Sequence, residues 1–142
     1  MNNTELASSL RNVVSALHKR LRKQAGVVGM YSMTEVETIA HLFRVSSLLP
    51  TELAALTRVK TQSMSQILKK MEEQGIIKRT PSKEDKRKVY ISLTASGKKL
   101  IEKVRYDKDE WLKDAIEKSL TAKEKESIVK ILPLLNKIVE TN

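Results

Sequence analysis

Between Thr51 and Thr94 the chain reads TELAALTRVKTQSMSQILKKMEEQGIIKRTPSKEDKRKVYISLT, and this stretch restricts the fold more than any other. Glu52, Leu53, Ala54, Ala55 and Leu56 are good helix formers. Pro50 just before them suits a first helical position, where its missing N–H is not needed. A helix of about two turns is therefore expected from Pro50 to near Arg58. Thr61 carries a hydroxyl able to cap a second helix, in which Met64, Ile67, Leu68 and Met71 recur at i, i+3, i+4 and i+7 and share one buried face. Gly75 stops that helix by taking the left-handed C′ position at no steric cost.

Ile76 to Thr80 and Val89 to Leu93 form two β-prone runs, and Pro81 to Lys88 connect them with residues that have nothing to pack against. Two short helices followed by a basic hairpin is the layout of a winged helix-turn-helix. The outer face of the second helix carries Gln62, Ser63, Ser65, Gln66, Lys69 and Lys70, short polar and cationic groups of the kind that read base edges and phosphates. From Ile76 to Tyr90 there are six basic residues (Lys78, Arg79, Lys83, Lys86, Arg87, Lys88) against Glu84 and Asp85, a local excess of four positive charges. A finger of that charge beside a polar helix can straddle a phosphate backbone and reach a minor groove.

The whole chain is strongly basic: 27 Lys and Arg against 17 Asp and Glu give +10 over 142 residues. That balance points to a polyanionic partner, and the length suits a single domain. Cysteine is absent, which excludes a disulfide framework, a thiolate nucleophile, a cysteine zinc site and a thiol redox switch. Met1 to Val14 lack the apolar segment of a secretion signal, and no uninterrupted apolar run approaches the roughly 18 residues that span a bilayer. A soluble cytoplasmic protein with no membrane partner is expected.

The flanking segments read as helices. Leu6, Leu10, Val13, Val14, Leu17 and Leu21 form one stripe, predicting a long helix from Thr4 to about Gln24. Lys19, Arg20, Arg22 and Lys23 near its end suit the negative pole of the helix dipole. Gly26, Gly29 and the valines between them mark a loop. Thr34 and Glu37 form a capping box for a helix packing through Val36, Ile39, Ala40 and Phe43 and ending near Arg44. Thr94 can cap a helix whose apolar spacing runs through Leu100, Ile101, Val104, Trp111, Leu112, Ala115 and Ile116 to about Lys118. Thr121 and Glu124 make a further capping box. The last helix is apolar on more than one face and contains Pro133, which should kink it or interrupt its ladder. A terminal helix with two apolar sides, and a long amphipathic first helix, call for a second copy of the chain. A twofold dimer would set two reading helices about one turn of B-DNA apart, matching a pseudo-palindromic site.

The order of helices, then EEQGIIKR, DKR and ISLTASG, resembles the MarR family of transcriptional regulators over nearly the whole chain. The residues carrying the resemblance are Glu72, Gly75, Arg79, Asp85, Arg87, Leu93, Thr94 and Gly97. It implies a mainly α fold with a small β-hairpin wing. The subunit would have six helices in one domain, with residues 34–94 as the winged helix-turn-helix and 1–33 and 95–142 forming a dimerisation region. It further implies a homodimer on a double-stranded operator, with Arg87 in the minor groove and Asp85 orienting the wing through a nearby arginine such as Arg79. Many members respond to a small aromatic or phenolic effector. Val14, His18, Met33, Phe43 and Trp111 are candidates to line such a pocket, although periodicity alone reads them as core.

Other chemistries fit less well. Glu37 and His41 lie at i, i+4, but two histidines and no cysteine make a poor ligand set, so neither a metal nor a cofactor is expected. No nucleophile elbow, phosphate-cradling glycine loop or isolated carboxylate pair suggests an enzyme. An architectural DNA binder with little sequence preference is the alternative of the same fold. A protein-interaction module would need apolar anchors where the chain has Gln66, Lys69, Lys86 and Arg87.

Overall fold

The computed structural model describes residues 1–26 and 30–142. It comprises helices α1 (Asn3–Gln24), α2 (Met33–Arg44), α3 (Pro50–Thr57) and α4 (Thr61–Glu73), strands β1 (Ile77–Pro81) and β2 (Val89–Leu93), and helices α5 (Ala95–Ser119) and α6 (Ala122–Val139). Fold class and element order are as the residue pattern predicts. Of the loop expected around Gly26 and Gly29, residues 27–29 lie outside the described part.

The two helices of the helix-turn-helix end alike. After α4, Gly75 takes φ +74° and donates to the Glu72 carbonyl, while Ile76 donates to that of Met71, both at 3.0 Å. This reciprocal pair uses two carbonyls that a helix end otherwise leaves unmatched. After α3 the same pattern recurs with Arg58 in the left-handed position at φ 57°, with Arg58 and Val59 donating to Ala55 and Ala54. Because the Ile76 amide is committed to that turn, β1 begins one residue later than expected and extends to Pro81. The strands are antiparallel, with Ile77 opposite Leu93 and Pro81 opposite Val89. Leu48 adds a short third rung, exchanging hydrogen bonds of 2.8 and 3.0 Å with Ile91.

Leu53, Met64, Leu68, Met71 and Ile91 are fully enclosed and form the centre of the core, closed by Ile39, Leu42, Leu48, Ile76, Ile77, Leu93 and Ile101. The face of α4 drawn from its spacing is the face that is buried, with Ile67 at its margin. Thr94 joins wing and scaffold. Its hydroxyl lies within hydrogen-bond reach of the Gly75 and Ile76 carbonyls and accepts from the Gly97 amide at 3.1 Å, and its own amide donates to Ile76 at 3.0 Å. Gly97 is needed because a Cβ there would lie 2.3 Å from the Ile76 carbonyl oxygen.

Several local expectations are corrected. Ser32, not Thr34, caps α2 and shares its box with Glu35, so the buried positions are Glu35, Thr38, Ile39 and Leu42, with Ala40 and Phe43 only partly covered. Thr34 instead accepts the Thr38 hydroxyl at its carbonyl, 2.7 Å away. Thr61 is the first residue of α4, whose N-cap is Lys60 without a side-chain bond, and the Thr61 carbonyl takes the Ser65 hydroxyl at 3.0 Å. Pro133 removes one amide donor but does not divide α6, since the neighbouring turns keep their bonds. The expected box of Thr121 with Glu124 is present.

α1 lies along α5, where Arg20 covers the Trp111 ring at 5.1 Å, and α2 meets α5 where Arg105 covers Phe43 at 4.6 Å. Neither α1 nor α6 contains a buried residue. Among the described residues, α6 makes only marginal contact with any other element.

The two glycines predict separable effects in urea unfolding. Gly97→Ala places a carbon against backbone and should cost about 2 kcal/mol or more. Gly75→Ala meets nothing within 4 Å and should cost about 1 kcal/mol from backbone strain alone. The reverse ranking would mean that the α5 start gives way more easily than the close contact implies.

Candidate nucleic-acid interface

The buried stripe of α4 turns Gln62, Ser63, Ser65, Gln66 and Lys69 outward, and all five are exposed. Gln62, Ser63, Gln66 and Lys69 hold no side-chain hydrogen bond to another described residue, so their donors and acceptors are available to a ligand. Lys70, at the edge of this face, does not project freely: its Nζ lies 2.9 Å from Glu35 Oε1 on α2.

The wing tip is ordered by two short side chains. The Ser82 hydroxyl accepts from the Glu84 and Asp85 amides, each at 3.3 Å, and the Ser82 amide donates to the Lys88 carbonyl at 2.9 Å. Asp85 then accepts from the Arg87 amide at 3.1 Å and from its guanidinium at 3.2 and 3.4 Å. Asp85 therefore orients the wing arginine itself. The expected pairing of Asp85 with Arg79 is not formed. Arg79 lies in mid-strand beside the end of α4 and pairs with Glu72 at 3.3 Å, while Asp85 lies in the tip beyond the strand. Such surface pairs add about 0–1 kcal/mol each, so their role is geometric. The Arg87 side chain remains 91% exposed, held at its base and open at its sides. Lys83, Lys86 and Lys88 surround it, all exposed.

A cleft of about 190 Å³ lies between α1, α2 and α5, lined by His18, Arg22, Met33, Val36, Glu37, Ala40 and Lys108. Of the residues expected to line a pocket, His18 and Met33 are in this cleft. The other three are elsewhere: Val14 is exposed on α1, Trp111 lies beneath Arg20, and Phe43 lines a separate cleft with Lys78, Ser92 and Lys98. Arg22 is one turn beyond His18, and Val36 and Ala40 follow Met33 at helical spacing, so those neighbours could have been read from the two anchors. Lys108 could not, because it comes from a distant helix. Glu37 faces this cleft while His41 Nδ1 lies 3.1 Å from Arg44 Nη2, and no three metal-binding side chains cluster among the described residues.

The interface therefore pairs an outward polar helix with a cationic tip pinned by its own carboxylate. A family model described as MarR family matches residues 32–88, from the cap of α2 through the wing tip. An uncharacterized HTH-type transcriptional regulator of Mycobacterium bovis is 28% identical over 111 residues, covering 78% of this chain and 77% of that relative. The crystal structure of a putative transcriptional regulator from Pseudomonas aeruginosa superposes with a TM-score of 0.86 at 25% identity, covering 99% of this chain and 98% of that one. The fold is shared also with an S. aureus MepR mutant bound to an oligodeoxyribonucleotide, at a TM-score of 0.71 and 19% identity over 95% of this chain and 98% of that one. No helix among the described residues is long and apolar enough to cross a membrane. The helix-turn-helix and the wing tip, residues 32–88, thus match the MarR family, and over most of its length the chain is similar to transcriptional regulators and shares their fold.

Proposed function

We propose that the protein is a dimeric, sequence-specific repressor that leaves its operator when a small molecule occupies the cleft between α1, α2 and α5. The observation carrying the DNA-binding part is Arg87, 91% exposed yet held at its base by Asp85, on the wing that follows the outward polar face of α4. In this reading α4 enters the major groove and offers Gln62 and Gln66 to base edges, with Ser63, Ser65 and Lys69 near the backbone. The wing places Arg87 in the minor groove, and Lys83, Lys86 and Lys88 neutralise phosphates.

The dimeric part is supported by the uncovered apolar residues of the outer helices. Val13 and Val14 on α1 and Val129, Leu132, Leu134 and Ile138 on α6 are all more than half exposed in the single chain. Joining residues 1–33 and 95–142 of two copies removes that surface from water and brings two reading helices onto one face of the duplex, about 34–36 Å apart.

The effector part is supported by the lining of the cleft. Met33, Val36 and Ala40 supply an apolar part of the lining, and Arg22, Lys108 and His18 a basic part against the acid Glu37. A small aromatic or phenolic anion matches that mixture, with its ring against the apolar side chains and its charge toward the cations.

Three measurements test this reading. Arg87→Ala should lower affinity for the operator about tenfold without altering sedimentation as a dimer, and unchanged affinity would remove the wing from the mechanism. Gln66→Ala should lose more affinity for the operator than for random duplex at the same salt, whereas equal losses would make Gln66 a backbone contact. Deleting the chain from Thr121 onward should give a monomeric or unstable protein, and a truncated chain that still sediments as a folded dimer would exclude α6 from assembly.

A further inference from the structure

Among the described residues, four helices carry a glutamate at their third position that accepts from the backbone amide of the N-cap residue: Glu5 in α1, Glu35 in α2, Glu52 in α3 and Glu124 in α6. Glu5, Glu52 and Glu124 are exposed, as a capping carboxylate ordinarily is, but the side chain of Glu35 is only 7% exposed. A cap requires an acceptor and not a charge, since glutamine serves equally, and burying a carboxylate is costly unless it is paired. The second oxygen of Glu35 accounts for the charge. While Oε2 accepts from the Ser32 amide at 3.3 Å, Oε1 holds the Lys70 ammonium at 2.9 Å, across 35 residues of sequence.

We infer that Glu35 and Lys70 are a positioning pair that sets the angle of the reading helix, and that Lys70 acts through Glu35 rather than on DNA. α2 packs on α3, α5 and β2 and does not run along α4, so this bond is a discrete tie between the α2 start and the C-terminal half of α4. The carboxylate is immobilised at its other oxygen by the helix it caps, which makes it a fixed anchor for a flexible lysine. A base edge requires a donor placed within a few tenths of an ångström, whereas a phosphate tolerates a tilted helix. Loss of the tie therefore falls on sequence discrimination and spares electrostatic attraction. The inference rests on the reading above of a sequence-specific DNA binder.

The test uses the full chain with Glu35→Gln, which retains the cap, Lys70→Gln, whose half-exposed position tolerates the change, and the double variant. The DNA probes are a duplex selected by the wild-type protein from a random library and a random duplex of equal length. Each single variant should reduce the ratio of selected to random affinity about five- to tenfold, and the double variant should be no worse than the poorer single. Affinity for the random duplex and its salt dependence should stay at wild-type values. The inference is overturned if Lys70→Gln lowers random-duplex affinity and reduces the salt slope by about one while Glu35→Gln does not weaken binding, for Lys70 is then a phosphate contact. Additive losses overturn it as well. Amide hydrogen exchange on the DNA-free protein gives a second measurement: Lys70→Gln should speed exchange at the start of α2, and Glu35→Gln in the second half of α4. Changes confined to the substituted helix would break the proposed tie. If the wild-type protein itself selects no sequence, the specific-regulator reading fails, and the exchange measurement alone decides whether the tie exists.

Discussion

The reading unit depends on the carbonyl oxygens of Gly75 and Ile76 and on what reaches them. Thr94 brings its amide and its hydroxyl there, and Gly97 withholds a side chain so that the first turn of α5 can lie against the same oxygen. Within these few residues the end of α4, the start of β1, the end of β2 and the start of α5 are joined. The reading helix and the wing consequently share one base and cannot rotate independently. α5 carries that base outward to α1 without a flexible connection.

Around this base, acidic residues are used to hold cations in place. Glu72 pairs with Arg79 between α4 and β1, Asp85 pairs with Arg87 within the tip, and Glu35 pairs with Lys70 between α2 and α4. Exposed pairs of this kind contribute little to stability, because water already solvates both charges. Their effect is to restrict which directions long cationic side chains can take before a polyanion arrives. A net charge of +10 attracts a polyanion without selecting its orientation, whereas the fixed pairs give these cations defined positions. Glu35 differs from the other two in being buried, so its partner also offsets the cost of removing a carboxylate from water.

Apolar residues are divided between an enclosed centre and uncovered ends. The centre closes tightly around Leu53, Met64, Leu68, Met71 and Ile91, whereas α1 and α6 enclose nothing in a single chain. Stability of the reading unit and stability of the outer helices therefore have different origins. The cleft between α1, α2 and α5 lies at the boundary between them, walled by α2 of the enclosed part and by α1, which has no buried residue, and α5.

The sequence by itself determined what depends on near neighbours in the chain. The buried stripe of α4, its glycine stop, the hairpin, the Thr94 cap and the box at Thr121 are all settled by interactions within a turn or two, where spacing and residue type suffice. Only the tertiary structure decided matters between distant segments. Ser32 with Glu35 and Thr34 with Glu37 satisfy the same local rule. The box that forms is the one that turns a carboxylate toward Lys70, and that turn rotates the packing face of α2 away from the one expected. Likewise the partner of Asp85 depended on where the tip lies relative to mid-strand, and the lining of the cleft on which faces of α1, α2 and α5 meet. The axial rotation and docking of one helix on another are set by the packing of the whole core, and no short window of residues contains that information.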